Sequence, residues 1–269
     1  NTNQKQAVDY IDGCVMVVAG PGTGKTQVLG ARVAQILRNT DAQAENILCL
    51  TFTEAATTAL RNRLYEFVGS ESFKVNIFTY HAFCNLVIQD NKDFFGIQDL
   101  KPISELEEIE VLREIIDEMP NDFVLKRFTG ETYYDVDRLK KLFKLMKKEG
   151  WDGSDIKQMV ETKKEDLLND PEMYYKRKYK EFNKGDLNER KYKESLDKFI
   201  NLQAAASLFS KYEHKLKQRK RYDFNDMLTW VLNAFNASPY LLLHYQEKYQ
   251  YFLVDEYQDT NGIQNQLLY

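Results

Sequence analysis

The eight residues Ala19-Gly20-Pro21-Gly22-Thr23-Gly24-Lys25-Thr26 constrain the fold of this chain more than any other stretch. They fit the small-x-x-x-x-Gly-Lys-Ser/Thr pattern of a phosphate-binding loop, which requires a strand before it and a helix after it. Val15-Met16-Val17-Val18 reads as that strand, because it is short, unbroken and rich in β-branched residues, as a strand buried on both faces should be. Leu29, Val33, Ile36 and Leu37 recur at helical spacing behind the loop, and Asn39-Thr40-Asp41 ends the run. Gly20, Gly22 and Gly24 lack β-carbons, so the backbone can turn its N–H groups toward phosphate oxygens at a helix N-terminus. Lys25 can reach the β- and γ-phosphates of ATP, and the Thr26 hydroxyl can ligate Mg²⁺.

A second half-site follows far along the chain. Tyr251-Phe252-Leu253-Val254 reads as a strand ending in Asp255-Glu256-Tyr257-Gln258-Asp259-Thr260. One carboxylate at such a place can hold Mg²⁺, and the next can take a proton from an attacking water. Between the halves, Ile47-Leu48-Cys49-Leu50 and Val75-Asn76-Ile77-Phe78 read as further strands, each leading into a helix. Thr53 is a candidate cap for the first of these helices, with Ala56, Leu60, Leu64 and Phe67 inward and Gly69 closing it. Strands alternating with helices imply an α/β fold with a parallel sheet, whose ligands lie beyond the carboxyl ends of the strands. Thr51-Phe52-Thr53 and Thr79-Tyr80-His81 both fall at such ends.

From about Ser104 to Arg221 the pattern is helical only, with helices expected at Glu105–Glu118, Asp135–Lys148, Ser154–Leu168 and Pro171–Phe182. One long helical run then starts at Leu187 and turns Phe199, Leu202, Ala206, Phe209, Tyr212 and Leu216 inward. Charge divides the chain in the same place. Arg138 to Arg221 holds 24 Lys+Arg against 14 Asp+Glu, whereas the remainder holds 13 against 27, giving a net −4 over 269 residues. Tyr174-Tyr175-Lys176-Arg177-Lys178-Tyr179-Lys180 and Lys217-Gln218-Arg219-Lys220-Arg221-Tyr222 interleave cations with rings, which suits a nucleic-acid backbone with base stacking, or a solvated helical face. No segment is apolar enough to span a bilayer, and Asn1 to Gln6 is too polar for a signal peptide, so a cytoplasmic location is expected. Cys14, Cys49 and Cys84 show neither zinc-site nor disulfide spacing.

Together these residues resemble the superfamily-1 DNA helicases of the UvrD/Rep/PcrA family, and the resemblance covers the whole chain. Asn1-x-x-Gln4-x-x-Ala7-Val8 resembles that family's adenine-reading motif, AGPGTGKT its motif I, TFTEAATTALRNR its motif Ia and TYHAF its motif Ib. DFNDML (223 to 228) resembles the segment that returns from an inserted helical domain, and VDEYQDTNGIQ (254 to 264) resembles motif II. The resemblance implies Gln4 on adenine, Ala19 to Thr26 around the phosphates, Thr26 and Asp255 on Mg²⁺, Glu256 as the water-activating base, and Gln258 linking the γ-phosphate to DNA binding. Thr51, Phe52, Thr79, Tyr80 and His81 would touch single-stranded DNA, although Phe52 and Tyr80 suit a core and His81 a cap or core equally well.

The implied architecture is a RecA-like P-loop domain at 1–96 and 222–269, interrupted by an all-helical inserted domain at 97–221. The implied activity is ATP hydrolysis coupled to 3′ to 5′ movement on single-stranded DNA and duplex unwinding, in DNA repair, with repair or nuclease proteins as partners. Gln27, where the family often has Arg, and Glu54-Ala55, where Asn-Lys is common, leave open a RecB/AddA-like subunit of a nuclease complex; an ATP-gated DNA-binding module is a further alternative. The sequence stops at Tyr269, soon after motif II, and reads as an N-terminal fragment expected to hydrolyse ATP very slowly by itself.

Overall fold

Parallel pairing of buried strands organises the α/β part of the protein, as the computed structural model shows for residues 2–96, 99–126 and 132–269. Asn1 and residue 97, expected starts of the adenine-reading motif and of the insert, lie outside the described residues. In chain order the first elements are α1 (Thr2–Asp9), α2 (Lys25–Asn39), β1 (Ile47–Thr51), α3 (Glu54–Val68), β2 (Asn76–Thr79), α4 (Tyr80–Asp90) and α5 (Lys92–Phe95). There follow β3 (Lys101–Pro102), α6 (Glu105–Asp117), α7 (Val136–Glu149), α8 (Gly153–Leu167), α9 (Glu189–Ser207), α10 (Phe209–Gln218) and β4 (Arg221–Tyr222). The chain closes with α11 (Phe224–Ala237), α12 (Pro239–Lys248), β5 (Tyr251–Val254) and α13 (Gly262–Leu268). Two compact units result, Asn1–Ile97 with Met227–Tyr269, and Gln98–Asp226.

In the first unit the strand order is β2-β1-β5, all parallel, with Leu50 opposite both Phe78 and Val254. β1 is buried at every position, which is why its sequence is a continuous apolar run. Val33, Ile36, Leu60, Leu64, Ile77 and Leu253 pack into one core around it. Burial pushes the Cys49 thiol up to about 12, which leaves it a packing group. Local signals set the helix ends: Thr53 and Thr79 accept from the N–H groups of Ala56 and Ala82, Ser238 from that of Leu241, and Gly69 closes α3 with φ 60°.

Val15-Met16-Val17-Val18 is not a strand. The segment is unpaired, and Met16 and Val18 are 76% and 85% exposed. Arg32 donates to the carbonyls of Ala7, Tyr10 and Ile11, and Gly13 turns at φ 84°, so the chain passes β5 without joining its ladder. A cavity of about 420 Å³ remains beside β5, lined by Asp12, Arg32, Ile36 and Tyr251 among others. An apolar run acquires strand structure only when a neighbour supplies hydrogen bonds, and the sequence does not say which neighbour is available.

The second unit is mostly helical. Val111, Leu112, Ile115, Phe143, Met146, Tyr212 and Leu216 form its core. It is not all-helical, because β3 and β4 pair in parallel, Lys101 opposite Arg221 and Pro102 opposite Tyr222, and so hold the two ends of the unit side by side. The helical run from Leu187 breaks at Leu208 into α9 and α10, where the Cβ that a residue 153 other than glycine would carry lies 3.2 Å from the Ala206 carbonyl. Pro171–Phe182 is not a helix either: a single 3₁₀ turn at Pro171–Met173 gives way to a hairpin in which Tyr174 pairs with Leu187 and Tyr179 with Phe182. Lys180 and Gly185 take positive φ at its turns, 52° and 94°, which a helix forbids.

Charge also redistributes in three dimensions. Residues 98–226 hold 28 Lys+Arg against 28 Asp+Glu, so the unit is neutral. Acids of α6, and Glu118 at its C-cap, neutralise cations distant in sequence. Lys140 meets Glu105 at 2.7 Å, Lys215 meets Glu118 at 2.7 Å, Arg221 meets Glu107 at 2.8 Å and Arg219 contacts Glu114.

Candidate nucleotide site

The glycine loop is shaped by two left-handed residues. Gly22 has φ 73° and Gly24 φ 86°; a Cβ at Gly22 would meet nothing within 4 Å, so backbone conformation alone requires glycine there. Thr23 donates from its hydroxyl to the Gly20 carbonyl at 2.7 Å, which closes the loop across Pro21 and Gly22. Gln4, on α1, donates to the Thr23 carbonyl at 2.9 Å, so the glutamine that the resemblance assigns to adenine lies against the loop itself. α2 begins at Lys25 with Gly24 as its N-cap and no side-chain cap, leaving the N–H groups of the first turn for an anion. Ala19 and Thr26 are half-buried and Gly20 and Pro21 exposed.

The acids arrive on β5. The Asp255 N–H donates to the Leu50 carbonyl at 2.9 Å, extending the β1–β5 ladder by one residue and fixing where the carboxylates leave the sheet. Burial, and then the charge of Glu256, hold the Asp255 carboxyl above the usual carboxylate range. Glu256 has φ 51° and ψ 45°, a left-handed conformation that costs a non-glycine residue about 1 kcal/mol or more. The hydrogen bond from the Gln258 amide, and then the charge of Lys25, hold its carboxylate below the usual range. Lys25 Nζ lies 3.6 Å from Glu256 Oε2. The structure thus brings together Lys25, Glu256 and Gln258, with Asp255 adjoining.

The donor set suits Mg²⁺. This ion is typically held through one or two carboxylates together with substrate phosphates, and a buried carboxylate beside a phosphate loop supplies that kind of ligation. Partial burial of Asp255, with its ionised form disfavoured, is the state that a nearby cation would relieve.

At the neighbouring strand ends the residues divide. Thr51 and Thr79 are opposite each other in the β1–β2 register. The Thr51 hydroxyl is buried and shares a 2.7 Å hydrogen bond with that of Thr57, while Thr79 donates to Glu54 Oε1 at 3.2 Å and caps α4. Tyr80 is 2% exposed, faces the interior, and has a hydroxyl raised by burial and without a hydrogen-bond partner among the described residues. His81 is half-buried. Phe52, 51% exposed, is the ring that these ends present to solvent.

Sequence reasoning missed Arg32 and Glu54. Arg32 ties α1 to α2 and so positions Gln4; the available signal was a cation among the apolar positions Leu29, Val33 and Ile36. Glu54 holds Thr79 from the first turn of α3, a contact between residues 25 apart that no local pattern announces.

Comparison with known proteins gives the family. A model of the UvrD/REP helicase N-terminal domain matches residues 1–269. Proteins from Staphylococcus aureus and Staphylococcus epidermidis, both named ATP-dependent DNA helicase PcrA, are each 28% identical over 100% of this chain. The chain spans 31% of the length of each of these relatives. It therefore belongs to the UvrD/REP helicase N-terminal domain family.

Proposed function

We propose that this chain is the ATP-binding portion of a DNA helicase or translocase, which couples ATP hydrolysis to 3′ to 5′ movement on single-stranded DNA. The 3.6 Å approach of Lys25 to Glu256 carries the reading, because it joins the phosphate loop to the strand-end acids in one site. The relatives' names, which specify ATP and DNA, support it. In this reading the unit of residues 1–97 and 227–269 is a RecA-like domain, expected at 1–96 and 222–269, and the mostly helical unit 98–226 is its inserted domain, expected at 97–221. Single-stranded and duplex DNA are the partners, together with repair or nuclease proteins, and the location is cytoplasmic. No helix among the described residues is long and apolar enough to cross a membrane.

Gln4 reads the adenine edge, and the N–H groups of Gly20 to Thr26 with the Lys25 ammonium hold the phosphates. Thr26 and Asp255 would hold Mg²⁺, which supplies neutralisation of charge on the phosphate oxygens. Glu256 takes the proton of the water that attacks the γ-phosphorus, while the bond to the β,γ-bridging oxygen breaks and ADP leaves. Gln258, hydrogen-bonded to Glu256, fixes the orientation of that base. Phe52 offers a base-stacking ring at the strand ends, with Thr51, Thr79, Tyr80 and His81 shaping the backbone around it.

The test is ATP turnover by the whole protein with and without single-stranded DNA. Stimulation by DNA is expected, with loss of turnover in Lys25→Ala and in Glu256→Gln. Unchanged turnover in either variant would reject the assigned roles.

A further inference from the structure

The two stretches that interleave cations with rings have different fates in the folded unit. In the second, Arg219 contacts Glu114, Lys220 pairs with Asp99 at 2.9 Å and Arg221 pairs with Glu107 at 2.8 Å, so three of its four cations are neutralised within the unit. In the first, only Lys176 is paired with an acid, Glu172. Arg177, Lys178 and Lys184 form no ion pair among the described residues, and Lys180 lies over the Tyr179 ring at 5.5 Å.

The hairpin that carries these cations is a stack of rings. Tyr175 and Phe182 are 4.8 Å apart at 12° between planes, and Tyr175 and Tyr179 are 6.2 Å apart at 11°. Its frame is backbone: Tyr175 N–H donates to Asp186, Gly185 N–H to Tyr175, and Tyr179 and Phe182 exchange both hydrogen bonds at 3.0 Å. Its base is anchored by buried Met173 and by Lys191, which reaches the Glu172 carbonyl at 2.8 Å. Despite that order, Tyr179 and Phe182 are 55% and 42% exposed. Near-parallel aromatic planes held by backbone, open to solvent and flanked by unpaired cations, have the chemistry that accepts a further flat π-face on a polyanion.

We infer that the hairpin at residues 174–187 is a single-stranded nucleic-acid contact, in which a base extends the stack that Tyr175 forms with Tyr179 and Phe182, and phosphates meet Arg177, Lys178 and Lys180. The inference rests on the DNA-acting function proposed above. A single strand is the occupant because stacking on an exposed ring needs a base whose face is free, which a duplex does not offer along its length. Lys215 of α10 and Arg221 of β4 are less available to such a contact, being paired with Glu114 and Glu107 of α6.

The test is fluorescence anisotropy of the wild-type chain with a labelled oligothymidylate about 16 nucleotides long, an abasic strand of equal length and the corresponding duplex. Tyr179→Ala is expected to weaken oligothymidylate binding at least about fivefold and to leave the abasic strand unchanged, with Tyr179→Phe restoring affinity. Replacing Arg177, Lys178 and Lys180 together by Gln is expected to reduce the slope of log affinity against log salt by about 2. Unchanged affinity in Tyr179→Ala, equal losses on the thymidylate and abasic strands, or a preference for duplex that Tyr179→Ala does not alter, would each overturn the inference. If Tyr179→Ala is silent and Phe52→Ala weakens binding, the hairpin contact falls and the proposed function stands. If the wild-type chain binds none of the strands, both fall.

Discussion

Lys25 and Glu256 lie 3.6 Å apart, ammonium to carboxylate, although one opens a helix near the start of the chain and the other ends a strand near its close. Both are partly exposed, at 28% and 39% of the side chain, so the pair contributes at most about 1 kcal/mol. A nucleotide must compete with Glu256 for the lysine. Glu256→Gln is therefore expected to tighten ATP binding by up to about fivefold, while removal of the base lowers turnover by about 10² to 10⁴. Calorimetric titration and steady-state turnover of the same variant would show opposite changes; weaker binding would contradict the competition.

Asp255 gives a pH prediction. Burial raises its carboxyl above the unfolded value, so the folded state favours the proton and loses stability as pH rises through that raised value. Asp255→Asn, which cannot ionise, is expected to have a higher Tm than wild type at pH 7, with the difference vanishing below about pH 4, where the unfolded carboxyl is protonated. Thermal melts at several pH values without nucleotide check this. The same variant should lose the Mg²⁺ dependence of ATP binding.

Gly22 and Gly24 are separable. At Gly22 the only cost of a side chain is the left-handed backbone, about 1–2 kcal/mol for Gly22→Ala. At Gly24 the backbone cost is the same, and a Cβ would lie in ordinary contact, 3.6 Å, with the amide of Gln4, the proposed adenine reader. Gly24→Ala is expected to weaken nucleotide binding more than Gly22→Ala for a similar loss of stability, as urea melts and ATP titrations would show.

The second unit contains a buried cation, Lys147, 5% exposed, with Asp226 at 2.5 Å and Asp223 at 3.0 Å. Burial pulls its ammonium down, but Asp226 and Asp223 outweigh that and hold it raised. Lys147→Met would leave the two carboxylates buried without a counter-charge and should destabilise the unit by about 3–5 kcal/mol in urea unfolding. The loss should shrink at acid pH, because burial raises Asp226 and it protonates early.

What the sequence determined by itself was whatever depends on a few neighbouring residues. β1, β2 and β5 lie where short apolar runs place them; Thr53, Thr79 and Ser238 cap helices through side chains three residues from their partners; and glycines stand where the phosphate loop turns left-handed. Only the tertiary structure decided matters that depend on a distant partner. Val15 to Val18 carry a strand composition, yet a strand forms only where another edge donates hydrogen bonds, and the Arg32 tether carries the chain past β5. The basic excess counted from Arg138 to Arg221 is offset in part by α6, which precedes that window in sequence and packs its acids against α10 and β4. The rings of Tyr175, Tyr179 and Phe182 can fit a helical spacing, but positive φ at Lys180 and Gly185 folds them into a stack. Charge neutralisation and ladder pairing act across space, whereas spacing along a chain records only the neighbours within a turn or two.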